Sequence, residues 1–323
     1  MRSLVSIIAG ALMLLSILSS SALATIDADS VKTLVREADI ASAGEDYKRA
    51  ITLYREVLKN DTNNFAALES LGFLYQVLGN HRQAKAYLQK AFQVDSLNAA
   101  LNNNLGAIYV NESNSAEAIR YYERAVAIDS TNAAYLNNLG QEYAKVGQLG
   151  KALPALYRAD SLRPDQDETL LSIGSCFAAS NSLDSAAHYF QKSIEAGGKT
   201  ARLHYLMGSV LARMGRNEAA EKHLDHVIKI EPGHIQATQA LGLLYLQTKQ
   251  PDRAEELFGK LANDNPDFHQ AKVGLGMAHA LQGHTAAADS VLEVLFGIDS
   301  SYAFQMLNIL RQEAEKEATS RKK

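Results

Sequence analysis

The chain has no tryptophan and a single cysteine, and its charges nearly balance at 36 Asp and Glu against 32 Lys and Arg. Each shortage excludes something. The lone thiol of Cys176 cannot form an internal disulfide. Beside Phe177 it reads as a small packed side chain, with a bond between chains as the alternative. Without a basic excess there is no stripe of the kind a nucleic-acid scaffold needs, and no reason to expect an acidic membrane surface as partner. No HExxH or CxxC spacing occurs, so the common zinc and dithiol motifs are missing. Long apolar runs are scarce too, and Leu4–Leu18 is the single candidate.

That run lies in Met1–Ala24, MRSLVSIIAGALMLLSILSSSALA. Arg2 gives a basic start, the run has the length of a signal-peptide core, and Ala22-Leu23-Ala24 fits the small-x-small cleavage rule. It is short for a membrane span, which needs about 20 residues. The expectation is cleavage after Ala24 and a periplasmic or secreted protein, with an uncleaved anchor as the alternative. Cleavage removes Arg2 alone, leaving 31 basic and 36 acidic residues, a net charge of −5. No integral membrane segment is expected in the mature chain. Residues 25–30 are expected as a linker, in which Asp29 and Ser30 suit a helix N-cap.

What the chain has in abundance is a 34-residue period, the signature of repeat architectures. The cleanest copy is Ala133–Gln166, AAYLNNLGQEYAKVGQLGKALPALYRADSLRPDQ. Numbered 1 to 34, position 20 is Ala50, Ala84, Ala118, Ala152, Ala186, Ala220, Ala254 and Ala288 in successive copies. Position 8 is Ala38 and then Gly72, Gly106, Gly140, Gly174, Gly208, Gly242 and Gly276. Positions 4, 7, 8 and 11 fall on one face of a first helix, and 20, 24 and 27 on one face of a second. A turn signal sits at position 15, with Gly79, Gly147, Gly215 and Gly283 and, in another copy, Asn181. Small residues at 8 and 20 allow the helices to cross closely beside a large residue at 24. Pro154, at position 22, removes one backbone donor early in a second helix.

This pattern resembles the tetratricopeptide repeat family. The departure is position 4, where many members carry Trp and this chain carries Leu34, Leu68, Asn102, Leu136, Leu170, His204, Thr238 and Lys272. The resemblance implies an all-α fold, a right-handed α-solenoid of eight helix-turn-helix repeats at 31–64, 65–98, 99–132, 133–166, 167–200, 201–234, 235–268 and 269–302. Residues 303–323 are expected to form a capping helix, with Met306 and Ile309 at positions 4 and 7, and a charged tail that frays from Glu313 on.

The repeats occupy the mature chain, leaving no room for a separate catalytic domain, so no enzyme activity, cofactor or metal is expected. His223 and His226 stand three apart on one helix, two possible ligands with no third in view, and His279 reads as a core substitution at position 11. In the family the concave face is lined from first helices, by positions 2, 5, 9, 12 and 13. The resemblance therefore implies a binding groove with a protein or peptide partner. Its candidates are Asn103, Asn104, Asn137, Asn138, Gln141 and Lys145 in repeats three and four, and Arg202, Tyr205 and Arg213 in repeat six. Amides donate and accept, so a ladder of them can pair with an extended backbone. Asn104 and Asn138, at position 6, resemble the asparagine ladder of the repeat domain in O-linked N-acetylglucosamine transferases. Leu243, Leu246, Val273, Met277 and Leu281 are expected as an apolar stripe, either a groove for a partner helix or a surface buried by superhelix closure or dimerisation. The function implied is an exported interaction scaffold. The alternative is a self-associating component of a secretion or pilus-biogenesis apparatus.

Overall fold

The computed structural model describes residues 27–320, with side chains through 312. The expected signal segment 1–24 and its cleavage site lie outside the described residues. Those described hold seventeen helices and no strand. Sixteen follow one another along the chain as first and second helix of each repeat: α1 Ala28–Ala43 and α2 Tyr47–Asn60, α3 Phe65–Val77 and α4 His81–Val94, α5 Ala99–Asn111 and α6 Ser115–Ile128, and α7 Ala133–Lys145 and α8 Leu149–Leu162. Then come α9 Asp167–Ala179 with α10 Leu183–Glu195, α11 Ala201–Arg213 with α12 Asn217–Ile230, α13 Ile235–Gln247 with α14 Pro251–Asp264, and α15 His269–Gln282 with α16 Thr285–Ile298. The last helix, α17, is Ser300–Ser320. Its regular backbone continues beyond Glu313, where composition alone predicts fraying. At the other end, α1 starts inside the stretch expected as linker. Asp27, rather than Asp29 or Ser30, is the cap, its carboxylate accepting from Ser30 N at 2.7 Å.

Contacts divide the chain into two compact units, residues up to Glu142 and residues from Tyr143 on. In the first, the repeat's small-residue columns have their physical reason in view. A methyl group on Gly72 would stand 2.5 Å from the Leu88 side chain, and one on Gly106 2.6 Å from the Tyr122 ring. Both partners occupy position 24 of the same repeat. Ala50, Ala84 and Ala118, at position 20, are fully buried, so any larger side chain would force the crossing apart. Each helix start from α1 to α6 is closed by a carboxylate or amide that accepts a backbone N–H three residues on: Asp27, Asp46, Asn64, Asn80, Asn98 and Asn114.

The second unit repeats the crossing with other rings. Gly174 faces Phe190, Gly208 faces Leu224, and Gly242 faces Phe258, all closer than a methyl group allows. In the last repeat the rule changes. Gly276 faces Met306 of α17 and Val291, while Leu292 at position 24 is only half-buried. The capping helix thus supplies the large side chain, and its Ala303 and Met306 are fully buried. Helix α8 runs unbroken through Pro154, and Cys176 is buried. Among the described residues no helix is long and apolar enough to cross a membrane.

The turn at position 15 is more uniform in backbone than in sequence. Gly79, Gly147, Gly215 and Gly283 have φ of 72°, 77°, 73° and 80°, and Glu45, Ser113, Asn181 and Lys249 have 61°, 57°, 61° and 56°. All eight are left-handed, including four that carry a Cβ.

Candidate functional site

The first unit holds the amide cluster. Asn103 and Asn104 lie on α5 and Asn137 and Asn138 on α7, which places them at positions 5 and 6 of neighbouring first helices. Asn138 donates through Nδ2 to Asn103 Oδ1 at 2.8 Å. Both are half-buried, as are Asn104 and Gln141. The pair spends one donor and one acceptor on itself. Among the described residues Asn103 Nδ2 and Asn138 Oδ1 make no further hydrogen bond, so a donor and an acceptor stand side by side, the complement of one peptide unit. Asn137 does not join them. It is only 7% exposed, and its Oδ1 is buried without a hydrogen-bond partner, although it holds the same position 5 as Asn103.

The same face carries residues that the sequence reading passed over. Glu69, Phe73 and Val77 occupy positions 5, 9 and 13 of α3. Phe73 and Val77 are 51% and 49% exposed, one helical turn apart. Glu69 is half-buried, and burial, with Asp95 nearby, raises its carboxyl above the ordinary range. The available signal was an aromatic ring at position 9, where the other copies of the first five repeats hold Asp39, Ala107, Gln141 and Ser175.

In the second unit Lys145 and Arg202 are exposed, and Tyr205 is half-buried with its ring 5.3 Å from that of His234. Arg213 donates to Asn181 Oδ1 at 2.5 Å, so it is tied to the preceding turn. The apolar stripe is largely core. Leu246, Val273 and Met277 are buried within the unit's hydrophobic cluster, leaving Leu243 and Leu281 exposed at 46% and 40%.

The histidines gather where the sequence showed only a pair. His204, from α11, brings Nδ1 to 3.0 Å from His223 Nδ1, so one ring donates to the other, and its ring centre is 4.4 Å from that of His226. Burial first, and the neighbouring imidazole charges second, lower the pKa of His204 and of His223. The third imidazole was hidden at position 4, nineteen residues upstream of His223.

Paired antiparallel helices with a fixed small-residue crossing define an α-helical repeat protein. Family models of the tetratricopeptide repeat match residues 74–133, 133–166 and 211–273. The chain belongs to that family. No protein of curated function matches it in sequence. Among solved structures it is similar to PilW, described as a widely conserved type IV pilus biogenesis factor, at 23% identity over 65% of this chain and 98% of that one, with a TM-score of 0.59. PilF of Pseudomonas aeruginosa gives 23% identity, 64% and 95% coverage and 0.58. The APC/C hetero-tetramer Cut9–Hcn1 gives 16%, 77% and 52%, and 0.63. These likenesses establish the solenoid fold.

Proposed function

We propose that the protein is a non-enzymatic interaction scaffold that binds an extended segment of a protein partner on the first-helix face of its first unit. The observation that carries this is the Asn103–Asn138 pair, with an unspent amide N–H group and an unspent carbonyl adjacent on a half-buried surface. Backbone recognition by amides tolerates many side-chain sequences, and Phe73 and Val77 on the same face supply apolar contact for one anchor residue. Asn104 extends the polar strip, while Asn137 stays out of it. Lys145, Arg202, Tyr205 and Arg213 are proposed as a separate polar surface of the second unit.

The N-terminal composition supports export, with cleavage after Ala24 and action in the periplasm or outside the cell. Mass spectrometry of the protein purified from its source tests this, since an intact Met1 in the mature chain would refute cleavage. The binding proposal is tested by affinity capture from the envelope fraction with Thr25–Lys323 as bait, beside an Asn103→Ala, Asn104→Ala, Asn138→Ala variant of equal helicity. The native bait should recover a partner that the variant loses. Equal recovery by both would remove the amide strip from the account.

A second reading, self-association within an envelope assembly, is favoured by one feature. Phe296 and Phe304 pack edge to face at 5.6 Å yet remain exposed, Phe304 at 57%, and Val294 and Leu307 are exposed close by in sequence on the same two helices, α16 and α17. An unpartnered aromatic pair at the end of a repeat array suits a contact between copies. Light scattering across a concentration series separates the two readings, because a constant monomer mass excludes the second.

A further inference from the structure

The last repeat contains two histidines that serve neither need of their positions. Position 11 holds an aromatic ring in most copies, as in Tyr75, Tyr109 and Tyr245. Here it is His279, whose Nδ1 is buried without a hydrogen-bond partner. Position 16 caps the second helix. Asn80 and Asn114 do so with their side chains, but His284 at the same position makes no cap hydrogen bond. The backbone still orders it, for His284 N donates to His279 O at 2.9 Å across the left-handed Gly283.

A carboxylate completes the group. Glu255 of α14 brings Oε1 to 3.9 Å from His279 Nδ1, and one ligand atom from each of Glu255, His279 and His284 lies within 4.8 Å of the other two. Gln282 holds the carboxylate from behind, its Nε2 donating to Glu255 Oε2 at 2.7 Å and to Asp252 Oδ1 at 2.8 Å. An amide that fixes one carboxylate oxygen while the other faces the His279 imidazole is the outer support that orients metal ligands. Tetrahedral zinc with bonds of about 2.0–2.1 Å sets its ligand atoms about 3.4 Å apart, so small rotations of these side chains close the set.

We propose that Glu255, His279 and His284 form a site for a divalent transition-metal ion, with zinc the ion that two imidazoles and a carboxylate suit best. Three protein ligands leave one coordination position open, and the exposure of His284 places that position at the surface. Because the ligands come from α14, from α15 and from the turn into α16, the ion ties the last two repeats together and stabilises the native state by mass action.

The test titrates the tag-free chain with Co²⁺, follows its ligand-field absorption, and then displaces it with Zn²⁺. One Co²⁺ per chain and full displacement are expected, with a melting temperature that rises with Zn²⁺ concentration. His284→Ala, at an exposed position without a capping bond, should weaken binding at least ~10-fold, and Gln282→Ala about 10-fold through loss of the outer support. His226→Ala, in the separate imidazole cluster, should leave binding unchanged. The proposal is overturned if the native chain shows no ligand-field absorption. It is equally overturned if His284→Ala binds as well as the native chain, or if His226→Ala abolishes binding. Circular dichroism of each variant confirms that helicity is retained.

Discussion

The two units share one repeat and differ in how their helices begin. From α1 to α6 every start is closed by an Asp or Asn side chain. In the second unit Thr200 and His234 do the same and Asp299 accepts from Ser301 N at the start of α17, while the starts at Gln148, Gln166, Ser182, Arg216, Gln250, Phe268 and His284 have no side-chain cap bond. Arg and Phe have no acceptor to offer, and Gln is one methylene longer than the Asn that reaches the third N–H. Apart from the last repeat, the close contact between the glycine at position 8 and the side chain at position 24 is meanwhile found in both. Helix pairing therefore depends on the glycine and alanine columns, and the caps are a supplement that one unit has and the other largely lacks.

The crossing should give the largest effects in either unit. Ala152→Leu puts three carbons into a fully buried site and should cost about 3 kcal/mol, the upper part of the overpacking range. Gly106→Ala, against the rigid Tyr122 ring, should cost about 1–2 kcal/mol. Gly276→Ala should cost at least ~1 kcal/mol less, because the flexible end of Met306 can yield. Thermal melts of the three variants check the order, and an equal loss at Gly106 and Gly276 would break the distinction between inner and terminal repeats.

Caps come next. Asn80→Ala and Asn114→Ala should each cost about 1 kcal/mol, whereas Gln148→Ala and Gln250→Ala should be close to neutral. The sharper experiment is the reverse one. Gln148→Asn and Gln250→Asn, on backbones with φ of −83° and −116° against −88° at Asn80, should stabilise the second unit by up to about 1 kcal/mol. The position-15 turn does not distinguish the units, since each has two non-glycine residues there. Lys249→Gly and Ser113→Gly should each gain about 0.5–1 kcal/mol by relieving the left-handed Cβ, and Asn181→Gly less, because Asn tolerates that conformation. Denaturant titration measures both series.

The smallest effects are those of pH, and they have opposite signs. Glu69, in the first unit, is protonated more readily when folded, so that unit gains stability as pH falls through the carboxylate range. Glu69→Gln should therefore stabilise at neutral pH and do nothing at low pH. His204 and His223, in the second unit, are protonated less readily when folded. Their contribution is complete above the ordinary histidine value of about 6.5 and is lost as pH drops below it toward the lowered values. Hydrogen exchange at neutral and mildly acidic pH, corrected for intrinsic rates, should show α11 and α12 losing protection on acidification, and His204→Asn should flatten that loss.

The amide strip shows where reading the chain succeeded and where it stopped. The period names Asn103, Asn104 and Asn138 as residues of one face, since position fixes direction on a helix. It also names Asn137, which is buried where Asn103, at the same position of the previous repeat, is not, because repeat position alone does not fix burial. The same distinction removed Leu246, Val273 and Met277 from the proposed surface. The contact between Asn138 and Asn103 joins residues 35 apart, and that between His204 and His223 joins residues 19 apart. No local spacing rule covers either distance.

The sequence by itself determined the helices, their pairing and the crossing at positions 8, 20 and 24, because those are set by side-chain volume repeated at a fixed interval. Only the tertiary structure decided the rest. It imposed a left-handed turn on Glu45, Ser113 and Lys249, where closure of the hairpin dictates the backbone whatever the side chain. It replaced Leu292 with Met306 over Gly276, where α17 packs against the last pair. It also set Glu255 beside His279 and His284, because stacking brings the second helix of one repeat against the first helix and turn of the next.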